Sequence, residues 1–344
     1  TPHFVEYGIQ QHNALGYRGP EIQLARVPGV PRILALGGST TYGFLLEDPA
    51  EAWPAQLEKL LRARGLAVEV INGGLNSATS AELLARWTFR DRYLKPDIVI
   101  IAGPGNDVWP LMYPGYTPEY THYRRAWDGM PSAPRAGERR LLRSGIARVA
   151  YAWWLYESQA FLGISRDPTL PPRLDPGEAL RAVRATEPEG FERNLNLLVA
   201  TIVADGARPL LFKMFRGPKA VFRVLPPAAR SVEPLYDAVQ LAQAKESLVV
   251  ERVAAARAVP WVALADQQVP LEYFLDHTHL DARGERIKAE RLLDPIAETL
   301  RSIAMRDGAA NAPSAAHPPA RRPRRRQALR TRRRSPGSGV KSRP

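Results

Sequence analysis

The chain has 344 residues, of which 45% are hydrophobic, so it can form a substantial apolar core. Its formal charge of +13 comes mainly from one end: ten Arg and one Lys lie in residues 321–343, and subtracting these eleven charges leaves only +2 for the preceding 320 residues. The absence of Cys excludes disulfides, thiolate metal sites and a Cys nucleophile.

Residues 1–30 are polar and rich in Gly and Pro, which predicts an extended lead-in. Short apolar runs then alternate with helix-length segments. We predict strands at 32–37, 68–71, 98–102, 209–212 and 261–264, and helices between 49 and 65, at 81–92 and at 282–293. Strands without polar alternation are typical of a parallel sheet covered by helices on both faces. The sequence therefore predicts a doubly wound α/β domain over residues 31–305.

The regular alternation fails between about residues 108 and 188, which predicts an insertion after the third strand. Within it, residues 145–163 have a helical pattern that is rich in aromatic side chains: Tyr151, Trp153, Trp154 and Tyr156. We expect these aromatics to pack onto the parent domain. A substrate cap and a membrane contact are the alternatives.

Residues 306–344 consist mostly of Ala, Pro, Ser and Arg, with few apolar side chains. Such a composition buries too little surface to offset chain entropy, so a disordered, Arg/Pro-rich tail is predicted. The tail could bind nucleic acid or another polyanion with steep salt dependence, or it could be a solvated segment without a dedicated function.

The sequence contains no charged-then-apolar leader and no apolar run of about 18 residues, so neither a signal segment nor a membrane span is expected within it. Because the chain begins at Thr1 rather than Met, removal of an upstream segment is compatible with the sequence. The compartment is not determined, and the favoured expectation is extracytoplasmic, either periplasmic or membrane-anchored through that missing segment.

A serine lies directly after the first predicted strand. Ser39 follows Gly37 and Gly38, which let the backbone turn and leave the hydroxyl accessible. The segment lacks the glycine spacing of a dinucleotide loop and the Lys of a phosphate loop, and Thr41 replaces the second Gly of an α/β-hydrolase elbow. Ser39 is therefore a candidate nucleophile at a strand-to-helix turn, and a simple cap formed by Ser39 and Thr40 is the alternative.

Two later loops carry the other groups that a serine nucleophile needs: a base, an orienting carboxylate and an oxyanion donor. Asn106 follows the third strand, and its amide can donate to an oxyanion, although an ordinary turn or cap is the alternative. Asp276 and His279 can meet across one tight turn, unless Asp276 only caps the last helix. A metal site using His277 and His279 is a third option, weakened by the lack of further ligand-like pairs nearby.

The order Ser39, Asn106, Asp276, His279 resembles the SGNH family, a branch of the GDSL-like lipases and acylhydrolases. The resemblance covers about residues 13–300, because four segments look like bacterial members of that family: 16–21, 36–43, 95–97 and 276–280. It implies a flavodoxin-like, three-layer α/β/α fold with strand order 2-1-3-4-5. In such a sheet the ligand crevice opens at the carboxyl ends of strands 1 and 3, which precede Ser39 and Asn106.

The resemblance also implies the role of each site residue. Ser39 would be the nucleophile, Asp276 would orient His279 as the base, and Ser39, Ser77 and Asn106 would form the oxyanion hole. His277 would then be a neighbour of the site.

Two positions depart from the family pattern. Ser77 stands where the family has Gly, and the Gly of the third block is displaced, so that Pro104 lies two residues before Asn106. If residue 77 needs a left-handed backbone, a non-Gly residue there costs roughly 1–2 kcal/mol.

These observations predict a serine esterase or acylhydrolase that cleaves a carboxylic ester through an acyl-enzyme, without a metal or cofactor. The expected substrate is a small-molecule or glycan ester carrying an O-acetyl or another short acyl group. One alternative is an O-acyltransferase that passes the acyl group to a glycan with the same triad. Another is a non-catalytic binding module that uses the basic tail. The oligomeric state is not determined.

Overall fold

A five-stranded parallel sheet lies at the centre of the protein. The structure, a computed structural model, describes residues 5–6, 9–103, 105–120, 122–123, 144–147, 149–150, 174–264 and 268–310. A small antiparallel pair, β1 (Val5–Glu6) and β2 (Ile9–Gln10), precedes the main sheet. The main strands are β3 (Arg32–Gly37), β4 (Glu69–Gly74), β5 (Ile98–Gly103), β6 (Arg208–Lys213) and β7 (Trp261–Ala263).

The strands lie side by side in the order β4-β3-β5-β6-β7, and every neighbouring pair is parallel. Counted along the chain within this sheet, the order is 2-1-3-4-5, which confirms the prediction. The chain reverses direction across the sheet between β3 and β5, so the loops that follow these two strands diverge and leave a crevice between them.

The helices connect the strands and are, in chain order, α1 (Ser39–Tyr42), α2 (Trp53–Ala63), α3 (Ser80–Phe89), α4 (Val108–Leu111), α5 (Pro176–Ala185), α6 (Glu189–Ala204), α7 (Tyr236–Arg257) and α8 (Ala282–Ala310). Short 3₁₀ turns lie at Pro49–Glu51, Asp91–Leu94, Lys219–Arg223, Pro227–Arg230, Glu233–Leu235 and Leu271–Tyr273. A capping box between Thr79 and Glu82 starts α3, since each side chain accepts a backbone N–H of the other residue.

Helices cover both faces of the sheet. On one face, Leu34, Leu36 and Ile101 of the strands share a buried cluster with side chains of α3, α6 and α7, among them Trp87, Leu198 and Val250. On the other face, the Trp53 ring of α2 packs edge-on against Phe212 of β6, with ring centroids 5.8 Å apart. The Gln56 side chain of α2 also donates to the Ala282 carbonyl of α8 at 2.8 Å. The predicted three-layer α/β/α arrangement is therefore present.

Within the region predicted to be an insertion, the two described ends pack into the body of the protein. α4 and α5 share a buried cluster with α7, formed by Val108, Leu111, Met112, Ala179, Val183, Ala238, Val239 and Ala242. Residues 145–147 and 149–150 are helical, and the rest of the predicted helix at 145–163, with its four aromatics, lies outside the described residues.

The last helix extends beyond its predicted end at residue 293. α8 continues past Pro295 to Ala310 because Ile296, Ala297 and Leu300 prolong its buried apolar face. It thus enters the segment predicted to be disordered, of which residues 311–344 lie outside the described part. The described residues up to Arg301 form one compact unit, and those from Ser302 onward belong to a second. None of the described helices has an apolar stretch long enough to cross a bilayer.

Candidate active site

The turn between β3 and α1 presents the Ser39 hydroxyl at the carboxyl edge of the sheet. Gly38 is in an extended conformation between the last residue of β3 and the first residue of α1. The turn is tight: a Cβ on Gly37 would lie 2.1 Å from the Thr41 Oγ1, and a Cβ on Gly38 would lie 3.0 Å from the Asn106 Nδ2. The two glycines therefore allow α1 and the loop after β5 to approach the strand end closely.

Ser39, His279 and Asp276 meet across 240 residues of sequence. The Ser39 Oγ lies 2.7 Å from the His279 Nε2, and the His279 Nδ1 lies 2.7 Å from an Asp276 carboxylate oxygen. An ionised carboxylate can only accept, so the proton of a neutral His279 ring lies on Nδ1, which donates it to Asp276. The Nε2 atom is then unprotonated and accepts from the Ser39 hydroxyl. The predicted juxtaposition is present in the structure.

The loop that holds His279 is organised by Asp276 itself. One Asp276 oxygen accepts the backbone N–H groups of Thr278 and His279, each at 2.7 Å, while the other accepts the imidazole Nδ1–H. Burial favours the neutral acid, but the hydrogen bonds and charge of His279 outweigh it and lower the pKa of Asp276. Asp276 is therefore ionised at neutral pH and can stabilise a protonated His279.

The Phe44 ring packs against the His279 imidazole. The two ring centroids are 5.2 Å apart in an edge-on arrangement, and Phe44 is 42% exposed. The backbone N–H of Phe44 also donates to the Ser39 carbonyl at 3.0 Å. This residue was not singled out from the sequence, where nothing distinguished it from other aromatics.

Asn106 lies beside Ser39 in the same crevice. Its Nδ2 donates to the Ala78 carbonyl at 3.0 Å, which uses one of its two amide hydrogens and leaves the second available. The next residue, Asp107, is fully buried and accepts from Ser80 and from the Tyr120 hydroxyl. Burial raises the pKa of Asp107 to about 6 against the effect of these hydrogen bonds. This buried network anchors the loop that displays Asn106.

Ser77 lies on the loop after β4 and has a left-handed backbone, with φ of 59°. The conformation considered from the sequence is thus present, and it costs a serine roughly 1–2 kcal/mol relative to glycine. Among the described residues, those lining the crevice around Ser39 do not include Ser77. Its role as an oxyanion donor stays a prediction.

A crevice opens around Ser39 at the carboxyl edge of the sheet. Its walls come from the loops after β3, β5, β6 and β7 and from α7, and the lining residues are Gly38, Ser39, Thr40, Gly105, Asn106, Trp109, Met214, Phe215, Arg216, Gln243, His277, Thr278 and His279. Five of these lining residues were not singled out from the sequence: Trp109, Met214, Phe215, Arg216 and Gln243. Met214, Phe215 and Arg216 shortly follow the fourth predicted strand, and that position could have pointed to this edge of the sheet.

The two histidines considered as metal ligands face different partners. The His277 Nε2 accepts from the Arg216 guanidinium at 3.2 Å, whereas the His279 Nε2 accepts from Ser39. Within the part of the chain that the structure describes, no group of three or more His, Asp or Glu side chains is arranged to hold a metal ion. The arrangement at the crevice suits proton transfer from Ser39 rather than metal coordination.

The chain is similar to known proteins in family and in fold. The model of the GDSL-like lipase/acylhydrolase family matches residues 35–287. No curated protein matches the chain.

Three similar solved structures illustrate the fold comparison. LAE5, an α/β hydrolase from the metagenome of Lake Arreo, Spain, is 17% identical, with a TM-score of 0.44 over 78% of this chain and 96% of that chain. Axe2, an acetylxylan esterase from Geobacillus stearothermophilus, is 16% identical, with a TM-score of 0.43 over 78% and 94%. A GDSL-like lipase from Bacteroides thetaiotaomicron is 15% identical, with a TM-score of 0.40 over 79% and 88%.

Proposed function

Because the chain belongs to the GDSL-like lipase/acylhydrolase family and is a carboxylic ester hydrolase, we propose that Ser39, His279 and Asp276 are its catalytic triad. The observation that carries the proposal is the pair of 2.7 Å contacts that link the Ser39 hydroxyl to His279 and His279 to Asp276. Such a chain of contacts is what activation of a serine hydroxyl requires.

The reaction starts with attack of the Ser39 Oγ on the ester carbonyl carbon while the His279 Nε2 takes the hydroxyl proton. The ionised Asp276 stabilises the imidazolium through its bond to Nδ1–H. The tetrahedral intermediate then collapses, and His279 gives its proton to the departing alcohol. Water, deprotonated by His279, attacks the acyl-enzyme, which releases the carboxylic acid and restores Ser39.

The negative charge on the carbonyl oxygen needs hydrogen-bond donors beside Ser39. We assign this role to the backbone N–H of Ser39 and to the second amide hydrogen of Asn106, with the backbone N–H of Ser77 as the third predicted donor. The Asn106 amide is supported in this role by its place beside Gly38 and by the anchoring of its loop through Asp107. One such donor contributes about 2.7–4 kcal/mol to lowering the barrier.

The proposed substrate is a short acyl ester of a glycan or another small molecule. Trp109 lines the crevice beside Ser39 and offers an aromatic face for the alcohol moiety of such an ester. Transfer of the acyl group to a sugar hydroxyl uses the same triad. Product analysis with and without a glycan acceptor separates the two reactions, since transfer leaves the acyl group on the acceptor.

The test of the triad is labelling with a fluorophosphonate probe, together with turnover of a nitrophenyl acetate. Wild type is expected to be labelled and active, whereas Ser39→Ala is expected to lose both properties with an unchanged melting temperature. Ser231→Ala is the matched control, because Ser231 is exposed on a turn away from these contacts. Equal labelling of wild type and Ser39→Ala would remove Ser39 from the mechanism.

A further inference from the structure

A buried arginine that none of the steps above uses lies at the base of the crevice. Arg216 follows β6 and is only 8% exposed. Its Nη2 donates to the Gly105 carbonyl at 2.8 Å, and its Nη1 donates to the His277 Nε2 at 3.2 Å. Burial lowers the pKa of Arg216 to about 10, against the favourable charges of Glu246 and Asp276, and its buried Nε has no hydrogen-bond partner among the described residues. A cation kept in this setting calls for a reason beyond packing.

The two acceptors of Arg216 belong to the two loops that carry the reacting groups. Gly105 directly precedes Asn106, and His277 lies between Asp276 and His279. The guanidinium therefore joins the loop after β5 to the loop before α8. A backbone bond from the Gly217 N–H to the His277 carbonyl, at 2.8 Å, keeps the Arg216 loop against the same segment.

The contact also determines which nitrogen of His277 carries its proton. Because a guanidinium only donates, the His277 Nε2 must be unprotonated, so the ring proton lies on Nδ1, 3.9 Å from an Asp276 oxygen. Burial, the charge of Arg216 and the proximity of His279 lower the pKa of His277 to about 3, while Asp276 acts in the opposite direction. His277 is thus a neutral acceptor throughout the physiological pH range.

We propose that Arg216 is a positioning residue of the ester hydrolysis, which holds the Asn106 loop and the Asp276–His279 loop at a fixed separation. This inference rests on the proposed function, because it gives these two loops their roles. Arg216 does not touch the reacting atoms. It acts through Gly105 on the oxyanion donor and through His277 on the base.

The proposal is tested with Arg216→Met and Arg216→Lys. Arg216→Met removes both hydrogen bonds, so kcat for a neutral nitrophenyl ester is expected to fall about 10- to 100-fold, the scale of a misplacement of up to 1 Å, with KM changed less than threefold. Arg216→Lys keeps the charge and can reach one of the two acceptors, and an intermediate kcat is expected. Should Arg216→Met fail to fold, Arg216→Lys alone decides, since it keeps the buried charge.

Gln240→Met is the matched control. The Gln240 Nε2 donates to the Gly217 carbonyl at 3.2 Å, so this variant removes a side-chain hydrogen bond from the same loop without touching Gly105 or His277. Its kcat is expected to stay within twofold of wild type. An equal loss in Gln240→Met and Arg216→Met would reduce Arg216 to general support of its loop and overturn the proposal.

A second measurement reports the contact independently of turnover. In an NMR titration, His277 of the wild type is expected to remain neutral down to about pH 4, whereas in Arg216→Met its pKa is expected to rise because the neighbouring positive charge is gone. The facing groups Asp276 and His279 are unchanged in that variant. If the pKa of His277 were the same in Arg216→Met and wild type, the guanidinium would not interact with this ring, and the proposal would be refuted.

The remaining outcomes separate this inference from the proposed function. A wild type that neither reacts with fluorophosphonate nor turns over esters refutes the proposed function, and the positioning role with it. An active wild type whose Arg216→Met and Arg216→Lys variants keep kcat within twofold refutes the positioning role alone. A variant effect confined to KM for a carboxylate-bearing ester would make Arg216 a substrate-binding group and would likewise overturn positioning.

Discussion

Replacement of Gly74 by Ala should strongly reduce catalysis at the crevice, although Gly74 does not line it. Gly74 ends β4 and packs against α1, the one-turn helix that starts at Ser39. A Cβ at this position would lie 2.1 Å from the backbone nitrogen of Tyr42, 2.5 Å from the Tyr42 Cα and 2.7 Å from the Thr41 carbonyl carbon. These are backbone atoms, which cannot rotate away as a side chain would. Helix α1 or the end of β4 must therefore move.

The size of the movement follows from the contact distances. Ordinary van der Waals contact begins at 3.4 Å, so the Tyr42 nitrogen must separate from the new methyl group by about 1.3 Å more than the present spacing. Because Ser39 and Tyr42 share a single helical turn, the 2.7 Å contact between Ser39 and His279 should lengthen. A misplacement of about 1 Å costs about 100-fold in rate, and overpacking costs about 1–3 kcal/mol of stability.

The assay compares kcat, fluorophosphonate labelling and melting temperature in Gly74→Ala and Gly103→Ala. Gly103 ends β5 at the same edge of the sheet, but a Cβ there would meet only Phe191, at 3.8 and 3.9 Å. Gly103→Ala is therefore expected to keep wild-type turnover. If Gly74→Ala also kept wild-type turnover, the reasoning that β4 holds the Ser39 helix in place would be refuted.

Two further variants address the oxyanion donor and the buried carboxyl. Asn106→Ala should lower kcat about 10²- to 10³-fold with little change in KM, and a rate equal to wild type would exclude Asn106 as a donor. Glu246 is fully buried and has no hydrogen-bond partner among the described residues, and burial, with a contribution from Asp107, raises its pKa well above the usual value against the effect of Arg216. A raised folded-state pKa means that stability is full below the usual value near 4.5 and is lost as the pH rises towards the raised value. Glu246→Gln cannot ionise, so its melting temperature relative to wild type should increase from pH 5 to pH 8, and a pH-independent difference would contradict this reasoning.

The sequence predicted the presence of the strands more accurately than it predicted where the strands and helices end. Uninterrupted apolar runs predicted all five strands of the sheet, because a strand buried on both faces requires apolar residues at every position. Two predicted ends were wrong. The second strand continues beyond residue 71 to Gly74, and α8 continues beyond residue 293 and past Pro295. Polar Asn72 and the two glycines after it do not match a strand pattern. These residues are in the strand because they pair with β3 of the same sheet.

The sequence by itself determined the chemistry available near each strand end. A serine after two glycines, an asparagine after the third strand and an Asp three residues before a His are local patterns that can be read without coordinates. The left-handed backbone at Ser77 was considered only because Ser77 stands where the family that the chain resembles has Gly.

The meeting of these groups was expected only from the family resemblance, and the contacts that hold them together are visible only in the tertiary structure. Ser39 and His279 come within 2.7 Å because β3 and the loop before α8 end at one edge of the sheet, a long-range fact that no local pattern encodes. No sequence motif marks Arg216 or Phe44 as part of the site. Only the structure shows that Arg216 contacts Gly105 and His277 and that Phe44 contacts the His279 ring. Local periodicity predicts whether a side chain is buried. Which residue that side chain contacts depends on how distant segments of the chain pack together.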